Sequence, residues 1–146
     1  MKEEIKALIE YRLQEAKESR EEAEILLENG KSRGALNRVY YSMFYATLAL
    51  LSTKQLSAFK HSGVISLFHR EFVKTGVISP EVVKFLDVAF DLRSKSDYRD
   101  FVIPEESRVR ELLRESEVFI KMCQNTPQLC WGDEWPTLSP GGRGLG

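Results

Sequence analysis

An arginine and a carboxylate four residues apart are the pair in this sequence best placed to do chemistry. Arg93 and Asp97 follow a stripe of apolar residues that recurs at helical spacing: Val82, Leu86, Ala89 and Phe90. Residues four apart share one face of a helix, so Asp97 can pair with Arg93. Two interpretations stay open. The pair either closes the end of a helical bundle, or it forms an anion site in which Arg93 meets a phosphate and Asp97 orients it.

The histidines and cysteines do not form a metal-binding pattern. His61 and His69 are two helical turns apart, too far to share one ion, and no acidic cluster accompanies them. Cys123 and Cys130 form neither a CxxC motif nor a Cys/His cluster. Gly-rich phosphate loops, nucleophile elbows and paired carboxylates are missing as well. The sequence therefore predicts no metal and no cofactor. His61 follows Lys60 near the start of a predicted helix, where it can contact an anion or cap the helix, and His69 is predicted at the surface.

Five segments with helical periodicity must hold these residues in place. They span approximately 3–28, 32–52, 60–73, 80–98 and 104–122. Ser32 is the expected cap of the second helix, and Ser79 that of the fourth, with Pro80 at its first helical position. The sequence contains no strand pattern and no internal repeat. Short connections then predict an all-α, antiparallel up-and-down bundle of about five helices, four of which form the core.

The second predicted helix has two faces, and we expect both of them to pack against other groups. One face is a wide apolar stripe of Leu36, Tyr40, Met43, Phe44, Thr47, Leu48 and Leu51. The other carries Arg38, Tyr41, Ser42, Tyr45 and Ala49. We expect the first face in the core and the second against a partner, a ligand or another copy of the chain. The alternative is a central helix of a monomeric bundle, with the tyrosine hydroxyls at its rim.

The charge is unevenly distributed, although the net charge is only −1. Residues 1–30 carry net −4, residues 31–75 net +6, and residues 76–146 net −3. The basic third indicates either an anionic partner, such as nucleic acid or nucleotide phosphate, or complementarity with the acidic first helix. No apolar run reaches the length of a membrane span, and the charged N-terminus predicts no secretory signal, which favours a cytoplasmic protein.

The composition changes near residue 125. We predict a helical domain over residues 1–124 and a loose Pro/Gly-rich tail over 125–146. Trp131 and Trp135 lie in this tail. They can dock onto the bundle or onto another chain, and the sequence does not decide between the two.

Four short segments stand in a recognisable order: 38–46, 60–65, 72–76, and 89–93 followed by Ser96-Asp97-Tyr98. They read RVYYSMFYA, KHSGVI, FVKTG and AFDLR. Together they resemble the HEPN domain (higher eukaryotes and prokaryotes nucleotide-binding), and most closely its small stand-alone prokaryotic branch. The resemblance covers about residues 5–122 and excludes the tail.

The resemblance implies an up-and-down helical bundle that commonly dimerises. Many members of the family are metal-independent ribonucleases, often the toxin of a toxin–antitoxin pair whose other gene encodes a minimal nucleotidyltransferase. Their motif is an arginine, a polar residue and then a histidine four to six residues after the arginine. Two such motifs face each other across the dimer and serve cleavage at the RNA 2′-hydroxyl.

This sequence departs from that motif at the histidine. It keeps the arginine, Arg93, and a polar neighbour, Ser94, but Tyr98 stands where the histidine is expected. A tyrosine ionises only in alkaline solution and is a poor general base near neutral pH. His61 belongs to a different predicted helix and does not replace the histidine by motif. The resemblance therefore carries over Arg93 alone, as an anion contact and as the best candidate for a catalytic residue.

The sequence thus predicts a dimeric HEPN-like domain that binds nucleotide or RNA and forms one half of a two-gene system with a minimal nucleotidyltransferase. The expected ligand site contains Arg93, Asp97, Tyr98, Arg38, Tyr41 and His61. Two alternatives stay open. One is an active metal-independent ribonuclease that uses a non-standard base, and the other is a non-catalytic adaptor for a nucleotidyltransferase.

Overall fold

The part of the protein that the structure describes folds as a bundle of five α-helices. The computed structural model describes residues 2–99 and 102–129, and neither range contains a strand. The helices are α1 (Glu3–Glu28), α2 (Ser32–Thr53), α3 (His61–Phe68), α4 (Pro80–Tyr98) and α5 (Glu106–Gln124), and a π-helical turn (His69–Val73) extends α3. The predicted all-α bundle is confirmed. No helix in the two described ranges is both long enough and apolar enough to cross a membrane.

The helix ends follow the local sequence closely. The Ser79 hydroxyl accepts a hydrogen bond from the Val82 backbone N–H at 3.2 Å, and α4 begins at Pro80, as predicted. Ser32, in contrast, is the first helical residue of α2, and Lys31 occupies the capping position. The prediction that Ser32 caps this helix was wrong because α2 begins one residue earlier than expected. Gly30, with φ of 70°, makes the turn that ends α1 and leads directly into α2.

Helix α2 lies at the centre of the bundle. It contacts α1 most extensively and also packs against α3, α4 and α5. Its predicted first face is in the core, where Leu36, Tyr40 and Met43 are fully buried. Phe44 and Leu51 belong to the same core. A helix enclosed on so many sides positions its remaining polar side chains precisely.

Much of the second predicted face of α2 is covered by α1 within the same chain. Arg38 pairs with Glu22 of α1 at 3.4 Å, and Ser42 and Ala49 are fully buried. Tyr41 and Tyr45 are only partly buried. Part of this face is therefore covered within the chain, and the acidic first helix complements part of the basic second one.

The chain continues against the bundle after α5. Thr126 and Leu129 are buried, so residues 125–129 pack on the core as turns. Trp131 and Trp135 lie outside the described residues, and the proposed tail beyond 129 stays a prediction.

Candidate functional site

An open depression with a volume of about 480 Å³ lies where α2, α3, α4 and the loop before α3 meet. Its lining combines aromatic, hydroxyl and basic side chains: Tyr41, Phe59, Lys60, His61, Ser62, Phe90, Arg93, Ser94 and Tyr98. Four residues of the predicted ligand site, Arg93, Tyr98, Tyr41 and His61, are therefore brought together. The other two, Asp97 and Arg38, contact residues of this lining without belonging to it.

Arg93 is held against the faces of two tyrosines. Its guanidinium carbon is 4.7 Å from the centre of the Tyr40 ring and 5.6 Å from that of Tyr41. One guanidinium N–H also donates a hydrogen bond to the Tyr41 hydroxyl at 3.3 Å. A cation held on aromatic rings is stabilised electrostatically by the negative faces of those rings. Only 12% of the Arg93 side chain is exposed, so its position is well defined.

The ion pair between Arg93 and Asp97 is loose. The Arg93 Nε atom is 3.7 Å from the nearer carboxylate oxygen, which is beyond hydrogen-bond distance. This Nε is buried and has no hydrogen-bond partner. Buried donors are rarely left in that condition, because each lost hydrogen bond costs free energy. Arg93 and Asp97 therefore lie at ion-pair distance without a direct hydrogen bond.

His61 faces the same aromatic group from α3. Its Nδ1 atom is 3.0 Å from the Tyr40 hydroxyl oxygen, and its ring stacks on Phe44 with 4.2 Å between ring centres. Burial, and secondarily the charge of Arg93, lowers the pKa of His61 below its usual value. Burial raises the pKa of Tyr40 well above its ordinary range, so its hydroxyl stays protonated. With Nδ1 occupied by Tyr40, the Nε2 atom of a neutral His61 is the ring nitrogen left for a ligand.

Arg38 is engaged by protein groups instead of facing the depression. Its guanidinium donates to the Asn37 side-chain oxygen at 2.8 and 3.1 Å and to Glu22 at 3.4 Å. The guanidinium carbon lies 5.0 Å from the centre of the Tyr41 ring. Arg38 therefore braces Tyr41, which in turn contacts Arg93.

Phe59 is the functional candidate that the sequence analysis missed. Its side chain is fully exposed, at 107% of the reference area, although it lines the depression. The available signal was a single phenylalanine in an otherwise polar loop just before Lys60. Gly63 helps to place this loop, because a Cβ atom at that position would lie 3.2 Å from the Cβ of Ala58. A larger residue at position 63 would push the loop away from α3.

His69 lies elsewhere and has a partner. It is half-exposed and pairs with Asp87 of α4 at 3.2 Å. It lines a separate hollow of about 730 Å³ on α3 that also contains Arg70 and Lys74. We find no buried polar atom without a partner in this hollow, so its larger volume does not make it the better site. Within residues 2–99 and 102–129, no three His, Cys, Asp or Glu side chains are grouped so that they could hold a metal ion.

Comparison with known proteins gives one consistent family. The family model of the HEPN domain matches residues 9–126. A UPF0332 protein from Thermotoga maritima is 43% identical over 113 residues, which cover 77% of this chain and 86% of the relative. A Methanocaldococcus jannaschii protein named "Putative toxin MJ0605" is 38% identical over 120 residues, covering 82% of this chain and 86% of the relative.

The match extends over every structural element of the depression. Residues 9–126 include α2 to α5 in full and all but the first turns of α1. The resemblance predicted from four short segments is confirmed by this much longer match. The chain belongs to the HEPN domain family.

Proposed function

We propose that this HEPN protein binds RNA or a nucleotide at the depression around Arg93, as a toxin-type component of a two-gene system. The observation that carries the proposal is the state of the Arg93 guanidinium. It is fixed on two tyrosine rings, and the Asp97 carboxylate lies beyond hydrogen-bond distance of it. A preorganised arginine with spare donors is suited to a phosphate oxygen.

The charges around Arg93 support an anionic ligand. Lys60 and Arg93 line the depression, and none of the lining residues that the structure describes is a carboxylate. Asp97 is nearby, but at 3.7 Å it accepts no hydrogen bond from Arg93 Nε, so a phosphate could compete with it for the guanidinium. Five of the nine lining residues also come from residues 31–75, the part of the chain with net +6 that supplies α2, the loop and α3.

Titration of fluorescently labelled single-stranded RNA into the wild-type protein and Arg93→Ala tests this proposal. We expect the variant to bind at least about tenfold more weakly, since a charge-assisted hydrogen bond is lost. The matched control is Arg110→Ala, which removes an exposed arginine of α5 that pairs with Glu106. Equal binding by wild type and Arg93→Ala, or equal losses in both variants, would refute an RNA site at Arg93.

Metal-independent RNA cleavage is a second candidate function, and the position of His61 favours it. The family motif lacks its histidine here, but His61 of another helix lines the same depression as Arg93. In such a reaction the Nδ1–H of neutral His61 would donate to the Tyr40 hydroxyl oxygen, which leaves Nε2 without a hydrogen. Nε2 would then accept the proton of a 2′-hydroxyl, and the 2′-oxygen would attack phosphorus. The bond from phosphorus to the 5′-oxygen would break, and that oxygen would take a proton from water. Arg93 would balance the charge on the phosphate.

Cleavage is tested with matched RNA and 2′-deoxy oligonucleotides in the presence of a metal chelator. We expect wild type to cut only the RNA and to leave a 2′,3′-cyclic phosphate. His61→Asn is expected to lose this activity, and His69→Asn, purified in the same way, to keep it. Intact RNA with wild type, or equal cutting by both variants, would reject His61 as the base.

The proposed partner is a minimal nucleotidyltransferase encoded beside this chain. The support is the family itself and the toxin name of the relative, because the family resemblance implies such a pair. Co-purification with the product of the adjacent open reading frame tests it. A stable complex that carries no nucleotide and binds no RNA would instead support the adaptor role.

Homodimerisation and a cytoplasmic location are also proposed on the sequence and on the family. Half-buried Tyr41 and Tyr45 on the rim of α2 are the residues available to a second copy. Light scattering at micromolar concentration decides the oligomeric state, and a monomer would refute the dimer.

A further inference from the structure

Two aromatic side chains at the depression are far more exposed than aromatic residues usually are. Phe59 has its full side-chain area in solvent, and Tyr98 is 82% exposed. Within the described ranges they are the two most exposed large hydrophobic residues, ahead of Ile103 and Tyr11 at 68% and 60%. They come from different elements, the loop before α3 and the last residue of α4, and both line the depression.

This exposure is costly unless something covers the rings. A fully exposed phenylalanine forgoes the free energy that burial gives apolar surface, and Phe59 has no packing partner that would fix it. A single exposed apolar side chain needs no explanation, but two exposed rings that line one depression beside basic side chains indicate an interaction site. The folding of the chain does not require Phe59 in this position, so a ligand is the better explanation.

The surroundings of the two rings identify the chemistry of that ligand. Besides Phe59 and Tyr98, the lining of the depression includes Lys60, His61 and Arg93. An apolar protein surface would have to desolvate these polar groups without supplying partners for them. A nucleic acid strand satisfies both requirements, because phosphates pair with the cations and the flat bases cover the rings.

We propose that Phe59 and Tyr98 stack on unpaired bases of single-stranded RNA whose phosphate contacts Arg93 and Lys60. The inference rests on the proposed function, because it assumes that RNA binds at Arg93. To that function it adds the kind of RNA that is bound, which is a strand with unpaired bases. Bases inside a duplex are already stacked and paired, so duplex RNA offers the protein its phosphates but not its base faces.

The test measures the affinity of the full chain for three labelled oligonucleotides of equal length: single-stranded oligouridine, an abasic strand and duplex RNA. We expect wild type to prefer oligouridine. Phe59→Ala and Tyr98→Ala should each weaken its binding about tenfold, the usual effect of removing one stacking ring. Affinity for the abasic strand should not change. Phe59→Trp keeps an aromatic ring and should bind oligouridine as well as wild type does. Tyr11 is an exposed aromatic residue outside the lining, and Tyr11→Ala should have no effect.

The possible results separate the two proposals. If wild type binds none of the three strands, the RNA-binding function fails and the stacking inference fails with it. If wild type binds oligouridine through Arg93 but Phe59→Ala and Tyr98→Ala bind it normally, the stacking inference alone is overturned. If Phe59→Ala converts a dimer into a monomer without loss of RNA affinity, a second copy of the chain covers this surface, and the stacking inference is again wrong.

Discussion

Two arginines contact the same tyrosine ring, and their surroundings differ in a way that separates stability from function. Arg38 lies 5.0 Å and Arg93 5.6 Å from the centre of the Tyr41 ring. On the α1 side, Arg38 donates hydrogen bonds to Asn37 and Glu22. On the side of α3 and α4, Arg93 has a buried Nε that donates none.

The difference shows how one central helix serves two purposes. The α1 side of α2 is closed by helix packing and by protein partners for its charges. The opposite side combines a buried cation, a histidine of lowered pKa and exposed rings around an opening. Changes on the α1 side should therefore affect folding, and changes on the other side should affect ligand binding.

The largest expected change in stability comes from the α1 side. Leu13 of α1 is completely buried in the core, and Leu13→Ala should lower the free energy of unfolding by about 2–5 kcal/mol. Urea denaturation measures this loss. The RNA affinity of the folded variant, measured well below its melting temperature, should equal that of wild type. A fall in affinity while the variant is fully folded would break the proposed separation of the two sides.

A smaller loss of stability is expected for a substitution of Tyr40, which lies where the core meets the depression. Tyr40→Phe keeps the ring beneath Arg93 but removes the hydroxyl that contacts His61 Nδ1 at 3.0 Å. Loss of this hydrogen bond should cost about 1 kcal/mol in urea denaturation. RNA affinity should stay within about twofold of wild type, since the hydroxyl is not proposed to touch the ligand. A large loss of affinity would show that Tyr40 binds the ligand directly.

His61 should make stability depend on pH. Its pKa is lowered in the folded protein, first by burial and then by Arg93, so the unfolded chain binds the proton more tightly. The contribution of His61 to stability is therefore complete above its usual pKa of about 6.5 and declines as the pH falls from there toward its folded pKa. Urea denaturation at pH 7.5 and 5.5 should show a greater loss for wild type than for His61→Asn. An equal loss of unfolding free energy in wild type and His61→Asn would mean that His61 titrates in the folded protein as it does in the unfolded chain.

The smallest changes in stability are expected at two turns that belong neither to the α1 side of α2 nor to the side with the depression. Gln55 at the end of α2 has φ of 56°, a conformation that favours glycine, whereas Gly30 after α1 has φ of 70°. Gln55→Gly should stabilise the protein by about 0.5 kcal/mol, and Gly30→Ala should destabilise it by about 1 kcal/mol. Thermal unfolding measures both. RNA binding should be unchanged in each variant. A destabilised Gln55→Gly or a stabilised Gly30→Ala would contradict the observed backbone.

The helices were predictable because their determinants are local. Apolar periodicity located all five, and the Ser79-Pro80 start of α4 followed from the capping preferences of those residues. Arg93 and Asp97 were also found from spacing alone, since they lie four residues apart on one helix. Ser32 failed as a cap because the turn at Gly30 decides where α2 begins.

The arrangement of the depression was less predictable because it depends on contacts between helices. His61 reaches the neighbourhood of Arg93 only when α3 packs on α2, so a motif read along one helix could not place it there. Arg38 was predicted in the ligand site, but its pairing with Glu22 depends on how α1 crosses α2. The exposure of Phe59 likewise depends on the path of the loop over Gly63.

The central claim is that Arg93, and not Arg38, is the arginine left available for an anionic ligand. The most direct measurement is the affinity of single-stranded RNA for wild type, Arg93→Ala and Arg38→Ala at two salt concentrations. We predict that Arg93→Ala loses at least about tenfold in affinity and shows a weaker salt dependence, because one phosphate contact is gone. Arg38→Ala should lose less than about twofold, since its charge is already paired. Equal losses in the two variants, or a larger loss for Arg38→Ala, would contradict the account.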